Sequence, residues 1–199
     1  MKNLSLKILF SFIVLFNLFL LVRNGLDSRF LREESSIQER YKVFYYKTFT
    51  ERENEHYTLM SQNVYSIDGD SLSLDQLVAS KHLILRYSFL SCFACLEKEF
   101  EIVFSEINNI PNIRNNIIIL VSNASFANIL EIKKQMVQVS ADIPIYSINT
   151  KNFTVPLERS IIPYYFTLDS NLTLQNVFIP MKEFPSWTKD YLQNLDERF

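Results

Sequence analysis

The sequence predicts an α/β fold, a mixed sheet with helices on both faces, preceded by an N-terminal transmembrane helix. Continuous apolar runs, typical of buried strands, alternate beyond residue 66 with segments whose apolar residues recur every three or four positions, as in amphipathic helices. Such alternation indicates a mixed sheet covered by helices. The chain has 199 residues, 48% of them apolar, which suits one packed domain and a short appendage.

A strand edge with an Asp-Gly turn and a short helix capped by Ser73 are predicted first, within 66–78. The main elements follow in the order strand, helix, strand, helix, strand, hairpin and helix. The strands are predicted at 82–88, 117–121, 144–148, 164–168 and 172–178, and the helices from the cysteines to near Pro111, at 125–139 and at 187–195.

The composition excludes several classes of function. A net charge of −2 provides no basic face for nucleic acid. The chain has only two glycines, Gly25 and Gly69, and glycine-rich phosphate loops need several glycines close together. His56 and His82 are far apart in the sequence and far from both cysteines. No group of residues therefore has the spacing of zinc ligands, and we expect no metal.

An uncharged apolar run at 8–22 follows Lys2 and Lys7 and ends at Arg23. Its fifteen residues are fewer than the roughly 20 that cross a bilayer core. Either a secretory signal peptide or an anchor with a snorkelling Lys7 fits this run. Because the first alanine of the chain is Ala79, no A-x-A-like cleavage site follows the run, and we favour an uncleaved membrane anchor.

The orientation of the anchor decides where the domain lies. Two basic residues precede the apolar run and four arginines follow it, which by the positive-inside rule does not favour export. Long domains cross largely regardless of such charges. We expect a single-pass protein of the cell membrane whose domain lies on the extracytoplasmic, periplasmic side.

The chain divides by composition into three parts: an anchor at 1–25, a charged and aromatic stalk at 26–60, and a domain at 61–199. Apolar positions between 26 and 44 recur at helical spacing. We interpret the stalk as a helix that holds the domain away from the bilayer. A partner-binding helix or short coiled coil is the alternative, although the pattern covers few heptads.

Both cysteines of the chain lie in one C-x-x-C motif, Cys92-Phe93-Ala94-Cys95, where a buried strand meets a helix. Unpaired N–H groups and the helix dipole stabilise a thiolate at that end. In such motifs the pKa of the first thiol falls to about 3.5–7.5. We therefore assign Cys92 as the nucleophile and Cys95 as the resolving cysteine.

Three other interpretations of the cysteine pair are weaker. A structural disulfide across so short a loop would constrain little of the unfolded chain. A zinc site needs two further ligands, and no second cysteine pair exists in the sequence. Two cysteines that act only as small apolar side chains would have no preference for this spacing. The sequence therefore favours redox chemistry.

Three stretches carry a resemblance to a known family: 69–77, 83–87 and 92–99. They resemble the thioredoxin-like proteins of the TlpA/ResA type, which are membrane-anchored thiol–disulfide oxidoreductases. The likeness covers roughly residues 60–199. It implies a thioredoxin-like sheet, a protein thiol or disulfide as substrate, and no cofactor, since the electrons pass between thiol pairs.

The resemblance also implies a substrate-binding segment at Ile162-Pro163, directly before the predicted strand 164–168. In the family this proline follows a cis peptide bond, faces the cysteines and presents backbone to an extended substrate peptide. Phe93, between the cysteines, is expected to contact the same peptide.

This sequence differs from the family pattern around the cysteines. Ser91 stands where the family usually has tryptophan, and Phe93-Ala94 stands where proline or glycine is usual. Arg86 occupies the position of a buried acidic residue, and Lys98 that of a glutamate.

The neighbours Glu97 and Glu99 are expected to be ordinary solvated residues of the helix.

The sequence thus favours a membrane-tethered thiol–disulfide oxidoreductase that acts on another protein. The alternative is a thioredoxin-fold interaction or redox-sensing module without turnover, which the absent tryptophan and the apolar Phe93-Ala94 support. Thiol peroxidase chemistry is less favoured. It usually needs a threonine and an arginine around the reactive cysteine, whereas Ser88 and Ser91 are the only nearby hydroxyl residues upstream of Cys92.

Overall fold

The computed structural model describes residues 15–23, 39–66, 68–90, 93–138, 143–149 and 153–199. The chain divides into two compact units, Met1–Thr48 and Phe49–Phe199. In the first unit, residues 15–23 and 39–48 are helical. Within the described ranges, no helix is both long enough and apolar enough to span a membrane. Most of the predicted anchor, 1–14 and 24–25, lies outside the described residues.

The second unit contains all the strands described. It opens with α1, the helical residues 49–54. The elements that follow are β1 (Asn63–Ser66), β2 (Ser71–Ser73), α2 (Leu74–Leu77), β3 (His82–Ser88), α3 (Phe93–Glu106), α4 (Pro111–Arg114), β4 (Ile117–Ser122), α5 (Phe126–Gln138), β5 (Ile145–Ile148), β6 (Tyr164–Leu168), β7 (Gln175–Phe178) and α6 (Pro185–Asp196), with 3-10 turns at Ile107–Asn109 and Pro156–Ser160.

The described strands form one mixed sheet in the order β2-β1-β5-β4-β3-β6-β7. Strand β4 lies parallel to β3 and to β5. Strand β6 lies antiparallel to β3 and to β7, so the predicted hairpin is confirmed. The two central strands are buried along their length, as expected of strands with both faces covered.

Alternation along the strands divides the core into two clusters, one on each face of the sheet. Leu83, Leu85 and Tyr87 of β3 belong to the first cluster, together with residues of α3, α5 and α6. Ile84 belongs to the second cluster, which α2 and the segment 153–157 cover. Arg86 lies on the same face of β3 as Ile84, because side chains of a strand alternate between its faces.

Two predicted elements differ in extent from the observed ones. The helix after the cysteines ends at Glu106 and is followed by a 3-10 turn and by α4 before the next strand. Strand β7 begins at Gln175, not at residue 172. The reason is a different pairing: the N–H of Leu59 donates to the carbonyl of Leu172, and the N–H of Leu174 donates to that of Tyr57.

The segment 49–59, which the sequence placed in the stalk, therefore lies along the outer edge of β7. The N–H of Val177 donates to Oε1 of Glu55 at 2.8 Å, and the N–H of Ile179 donates to Oε1 of Glu51 at 2.7 Å. Residues four apart on a helix are separated by about 6 Å along its axis. Residues two apart on a strand are separated by about 6.7 Å. The carboxylates of Glu51 in α1 and of Glu55 in the turn after it thus match two outward N–H groups in and directly after the edge strand β7, which would otherwise be open to pairing with another chain.

We expect Glu55→Ala to lower the free energy of unfolding by about 1 kcal/mol, because the half-buried N–H of Val177 loses its acceptor. Glu55→Gln keeps an acceptor oxygen and should cost less. Urea unfolding followed by circular dichroism measures the difference. The control is Glu53→Ala on the exposed side of the same helix, and an equal loss in that variant would contradict the proposed contact.

Candidate active site

The strand-to-helix junction predicted around the cysteines is present between β3 and α3. Strand β3 ends at Ser88, and α3 begins at Phe93. Cys92 lies outside the described residues, and of Phe93 and Cys95 the structure describes the backbone, which is helical. Cys95 is thus in the first turn of α3, where the N–H groups of a helix have no intrahelical acceptor.

The segment 161–163 lies between two cavities that flank it. The first cavity has a volume of about 270 Å³, and residues of α3 line it together with that segment and with 179–183. The second cavity, about 190 Å³, lies at the carboxyl ends of β3 and β4. Ile161 and Ile162 line both cavities, and Pro163 lines the first. The structure therefore brings the predicted substrate segment close to the helix that carries Cys95.

The peptide bond between Ile162 and Pro163 is trans, as are all the peptide bonds described. The cis bond implied by the family resemblance is therefore wrong for this structure. The trans form is favoured at prolines by about 0.5–1 kcal/mol. The change of chain direction occurs one residue earlier, because Ile161 adopts the left-handed conformation with φ 53°. Such a conformation is rare for a β-branched residue and costs about 1–3 kcal/mol, so the surrounding contacts must hold it.

Arg86 is the charged residue at the centre of the sheet, with 1% of its surface exposed. One guanidinium nitrogen, Nη1, donates to the carbonyls of Tyr87 and Leu120. The other, Nη2, donates to Oγ of Ser122 at 2.8 Å and to Oε2 of Glu158 at 2.6 Å. The guanidinium also packs over the ring of Phe153, 5.4 Å from its centroid.

Glu158 connects this buried cation to the substrate segment. It lies in the 3-10 turn Pro156–Ser160, and its side chain is 16% exposed. Its Oε1 accepts a hydrogen bond from the hydroxyl of Tyr164 at 2.7 Å. Burial, and then the charge of Glu158, raise the pKa of Tyr164 well above its usual value, so this hydroxyl stays protonated and donates. The turn that leads to Ile161 is thus held to β3 and to β6.

Glu158 was not among the site residues predicted from the sequence, although the sequence contains a signal for an acidic partner of Arg86. Arg86 stands inside a continuous apolar run, and a strand buried on both faces leaves no place for an unpaired cation. Because charged groups are rarely fully buried unless they are paired, the run predicts an acidic partner. Which of the 22 acidic residues it is depends on chain tracing far from β3.

Glu99 lies on α3 one turn beyond Cys95 and lines the first cavity. It is 5% exposed, so the expectation that it is solvated is wrong, whereas Glu97 is exposed as expected. The hydroxyl of Tyr165 donates to its Oε1 at 2.7 Å. Burial raises the pKa of Glu99, and the hydrogen bond from Tyr165 opposes that effect. The inward face of α3 therefore carries a carboxyl group that holds its proton more strongly than an ordinary glutamate.

Among the residues that the structure describes, no three His, Cys, Asp or Glu side chains form a group that could hold a metal ion. The predicted absence of a metal at the cysteines stays a prediction, because Cys92 is not among them.

Solved structures include several that are similar to this chain. A candidate electron transfer protein from Aquifex aeolicus VF5 is 8% identical, with a TM-score of 0.51, over 70% of this chain and 91% of its own. The thioredoxin domain of a thiol-disulfide oxidoreductase from Bacteroides vulgatus is 13% identical, with a TM-score of 0.45, over 73% and 96%. The mitochondrial 2-Cys peroxiredoxin from Plasmodium falciparum is 16% identical, with a TM-score of 0.48, over 73% and 92%.

No family model and no curated protein matches the sequence. The described strand order and helices form the mixed, thioredoxin-like sheet that was predicted, and the Aquifex protein shares this fold. A shared fold at 8% identity does not define the chemistry, which has to be argued from the site residues of this chain.

We expect Glu158→Ala to lower the free energy of unfolding by about 3 kcal/mol, because Arg86 would remain buried without its counter-charge. The double variant Arg86→Met/Glu158→Leu should lose much less than the sum of the two single variants. The same unfolding experiment measures all of them. Glu183→Ala, which breaks the exposed pair with Lys182, is the control and should change little. Additive losses in the double variant would show that the two residues do not act as a pair.

The raised pKa of Glu99 makes stability depend on pH. The folded chain holds this proton to a higher pH than the unfolded chain does, so the stability that Glu99 contributes is complete below about pH 4.3 and is lost as the pH rises through the folded pKa. Glu99→Gln keeps an acceptor for Tyr165 and never ionises. Its stability relative to the parent chain should therefore increase between pH 4 and pH 8, measured by urea unfolding.

Glu97→Gln, on the exposed side of α3, should show no such increase with pH. If the difference in unfolding free energy between Glu99→Gln and the parent chain did not change with pH, burial would not raise the pKa of Glu99.

Proposed function

We propose that this chain is a membrane-tethered thiol–disulfide oxidoreductase that exchanges electrons with thiols of a partner protein through Cys92 and Cys95. One observation carries the proposal: the only two cysteines of the chain, in C-x-x-C spacing, coincide with the strand-to-helix junction of a thioredoxin-like sheet. A helix N-terminus stabilises a thiolate there, and the second thiol stands one turn on.

In the reductive direction, the Cys92 thiolate attacks a disulfide of the partner. A sulfur–sulfur bond forms to Cys92 while the partner's disulfide breaks, and the leaving sulfur takes a proton. Cys95, deprotonated, then attacks Cys92, which releases the partner as a dithiol and leaves Cys92–Cys95 oxidised. The two electrons return from a second thiol pair, so the cycle needs no cofactor. The reverse sequence oxidises a partner dithiol.

We assign the substrate segment to Ile162-Pro163, with Phe93 as a further residue that binds the peptide. The position of 161–163 between two cavities supports this assignment, because side chains on either side of an extended peptide could enter them. Residues of the first cavity are mostly apolar, among them Ile102, Ile179 and Met181. An extended segment presents alternate side chains to opposite sides, which suits a groove of this form.

Glu99 is the group that we assign to proton transfer with Cys95. The two positions are four apart on α3, so they lie on one face of the helix. Burial raises the pKa of Glu99 above its usual value, and a positioned carboxyl group with a raised pKa is a candidate for general acid–base catalysis. The resolving thiol must lose its proton before it attacks, and Glu99 is the acceptor on that side of α3.

We place the protein in the cell membrane through the apolar run 8–22, with the domain on the extracytoplasmic side. The absence of an A-x-A-like sequence after the run supports an anchor that is kept. Disulfide exchange has its substrates in oxidising compartments such as the periplasm, which agrees with this placement.

We expect Cys95→Ser to accumulate mixed disulfides with specific partner proteins, because the bond to Cys92 can no longer be resolved. Non-reducing electrophoresis of the full chain, expressed in a bacterial membrane, reveals these adducts, and reductant removes them. Cys92→Ser is the matched control and should trap far less. Equal trapping by both variants, or by neither, would contradict the roles assigned to the two thiols.

The reduction potential of the pair separates turnover from the redox-sensing alternative. A value between about −120 and −270 mV lies in the range of exchange catalysts. A value below about −300 mV describes a disulfide that stays closed, and it would favour the interaction or sensing module over the enzyme.

A further inference from the structure

The second of the two cavities, here called the Arg86 cavity, has a volume of about 190 Å³. It opens at the carboxyl ends of the two central strands, beside the loop that leads from β3 to the cysteine motif. Most of its lining is apolar, and it includes Leu90. The polar residues that line it are Arg86, Tyr87, Ser88, Ser122, Asn123 and Glu158.

Two serine hydroxyl groups in this cavity have an O–H donor without an acceptor among the described residues. Oγ of Ser88 accepts from the N–H of Leu90 at 3.2 Å and from Nδ2 of Asn123 at 3.1 Å. Oγ of Ser122 accepts from Nη2 of Arg86 at 2.8 Å and from Nδ2 of Asn123 at 3.3 Å. A hydroxyl has two acceptor lone pairs and one O–H donor. Each serine therefore has both lone pairs engaged, and its O–H has no acceptor among the residues that the structure describes.

Arg86 has one further donor without a partner among the described residues, because its buried Nε makes no hydrogen bond there. Since Nε has almost no accessible surface, a molecule in the cavity does not contact it. The cavity therefore presents two donors, the serine hydroxyls.

The charges of the cavity exclude a simple anion site. Glu158 already neutralises Arg86 at 2.6 Å, so a second carboxylate entering the cavity would meet Glu158 without a free cation. Glu158 and the Oδ1 atom of Asn123 also have acceptor capacity left. A neutral group with one carbonyl oxygen and at least one N–H complements both the donors and the acceptors, and this combination is an amide.

We propose that the Arg86 cavity binds an amide group of the partner protein, next to the disulfide that the cysteines attack. The inference rests on the proposed function and gives it a substrate feature. Leu90, 69% exposed at the rim, stands two residues before Cys92, and Ile162 forms the opposite wall. The amide belongs either to an Asn or Gln side chain or to the peptide backbone, and the two sources share the same carbonyl and N–H chemistry.

The test compares acetamide with acetate, which have the same shape but differ in charge and in N–H donors. Both are titrated into the full chain in detergent micelles while the backbone N–H signals of Leu90 and Asn123 are followed by NMR. Acetamide should shift these signals in a saturable way, and acetate should not. N-methylacetamide separates the sources: binding equal to that of acetamide assigns a peptide amide, and weaker binding assigns a side-chain amide.

Ser122→Ala should weaken the binding of acetamide about five-fold, since one hydrogen bond is lost, while Ser105→Ala, on the distant part of α3, should have no effect. Glu158→Gln should reverse the preference, because Arg86 then lacks its counter-charge and attracts acetate. The inference is overturned if neither amide shifts the signals of the parent chain, which would mean that the cavity holds only water. A parent chain that prefers acetate would overturn it as well.

Exchange with bis(2-hydroxyethyl) disulfide, which has no amide, separates this inference from the proposed function. A chain that reduces this disulfide but does not bind acetamide keeps the proposed function and loses the amide site. A chain that binds acetamide but exchanges no disulfide keeps the amide site and loses the proposed function.

Discussion

The ion pair between Arg86 and Glu158 is the constraint on which the rest of the site depends. A guanidinium in the middle of a sheet loses its hydration, and only excellent geometry and further hydrogen bonds offset that loss. Two carbonyls, one hydroxyl and one carboxylate meet this demand. Since the carboxylate comes from the 3-10 turn Pro156–Ser160, the pair joins the centre of the sheet to the segment that presents Pro163.

This arrangement separates two electrostatic environments on either side of the segment 161–163. On the Arg86 side, a cation and a carboxylate neutralise each other at the wall of the second cavity. On the α3 side, Glu99 is buried near apolar residues with its pKa raised.

The left-handed conformation of Ile161 follows from the same constraint. A β-branched residue keeps φ 53° only where its neighbours leave no alternative. The 3-10 turn before it is tied to β3 and β6 by Glu158, and the proline after it restricts its own φ. Asn54 of α1 adds a further tie, because its Oδ1 accepts from the N–H of Leu157 at 3.2 Å. The substrate segment is thus held by contacts with three elements of the domain.

The order of strands and helices and the placement of the cysteines at a strand-to-helix junction were predictable, because apolar periodicity depends on local sequence alone. The burial of Glu99 was not predictable, since a glutamate in a helix is usually solvated. Only the packing of α3 on the sheet buries its side chain. The segment 49–59 was predicted to belong to the stalk, because its charged residues are typical of a solvent-exposed helix. Two of those charges instead bind the edge of β7, about 120 residues away in the chain.

The sequence by itself determined the α/β class, the two core faces of the central strands and the C-x-x-C spacing of the two cysteines. Each of these follows from spacing within a short stretch of chain. The tertiary structure alone decided that Arg86 pairs with Glu158 and that the bond before Pro163 is trans. Both depend on segments that are distant in sequence and adjacent in space, where burial and charge pairing outweigh the preferences of any local motif.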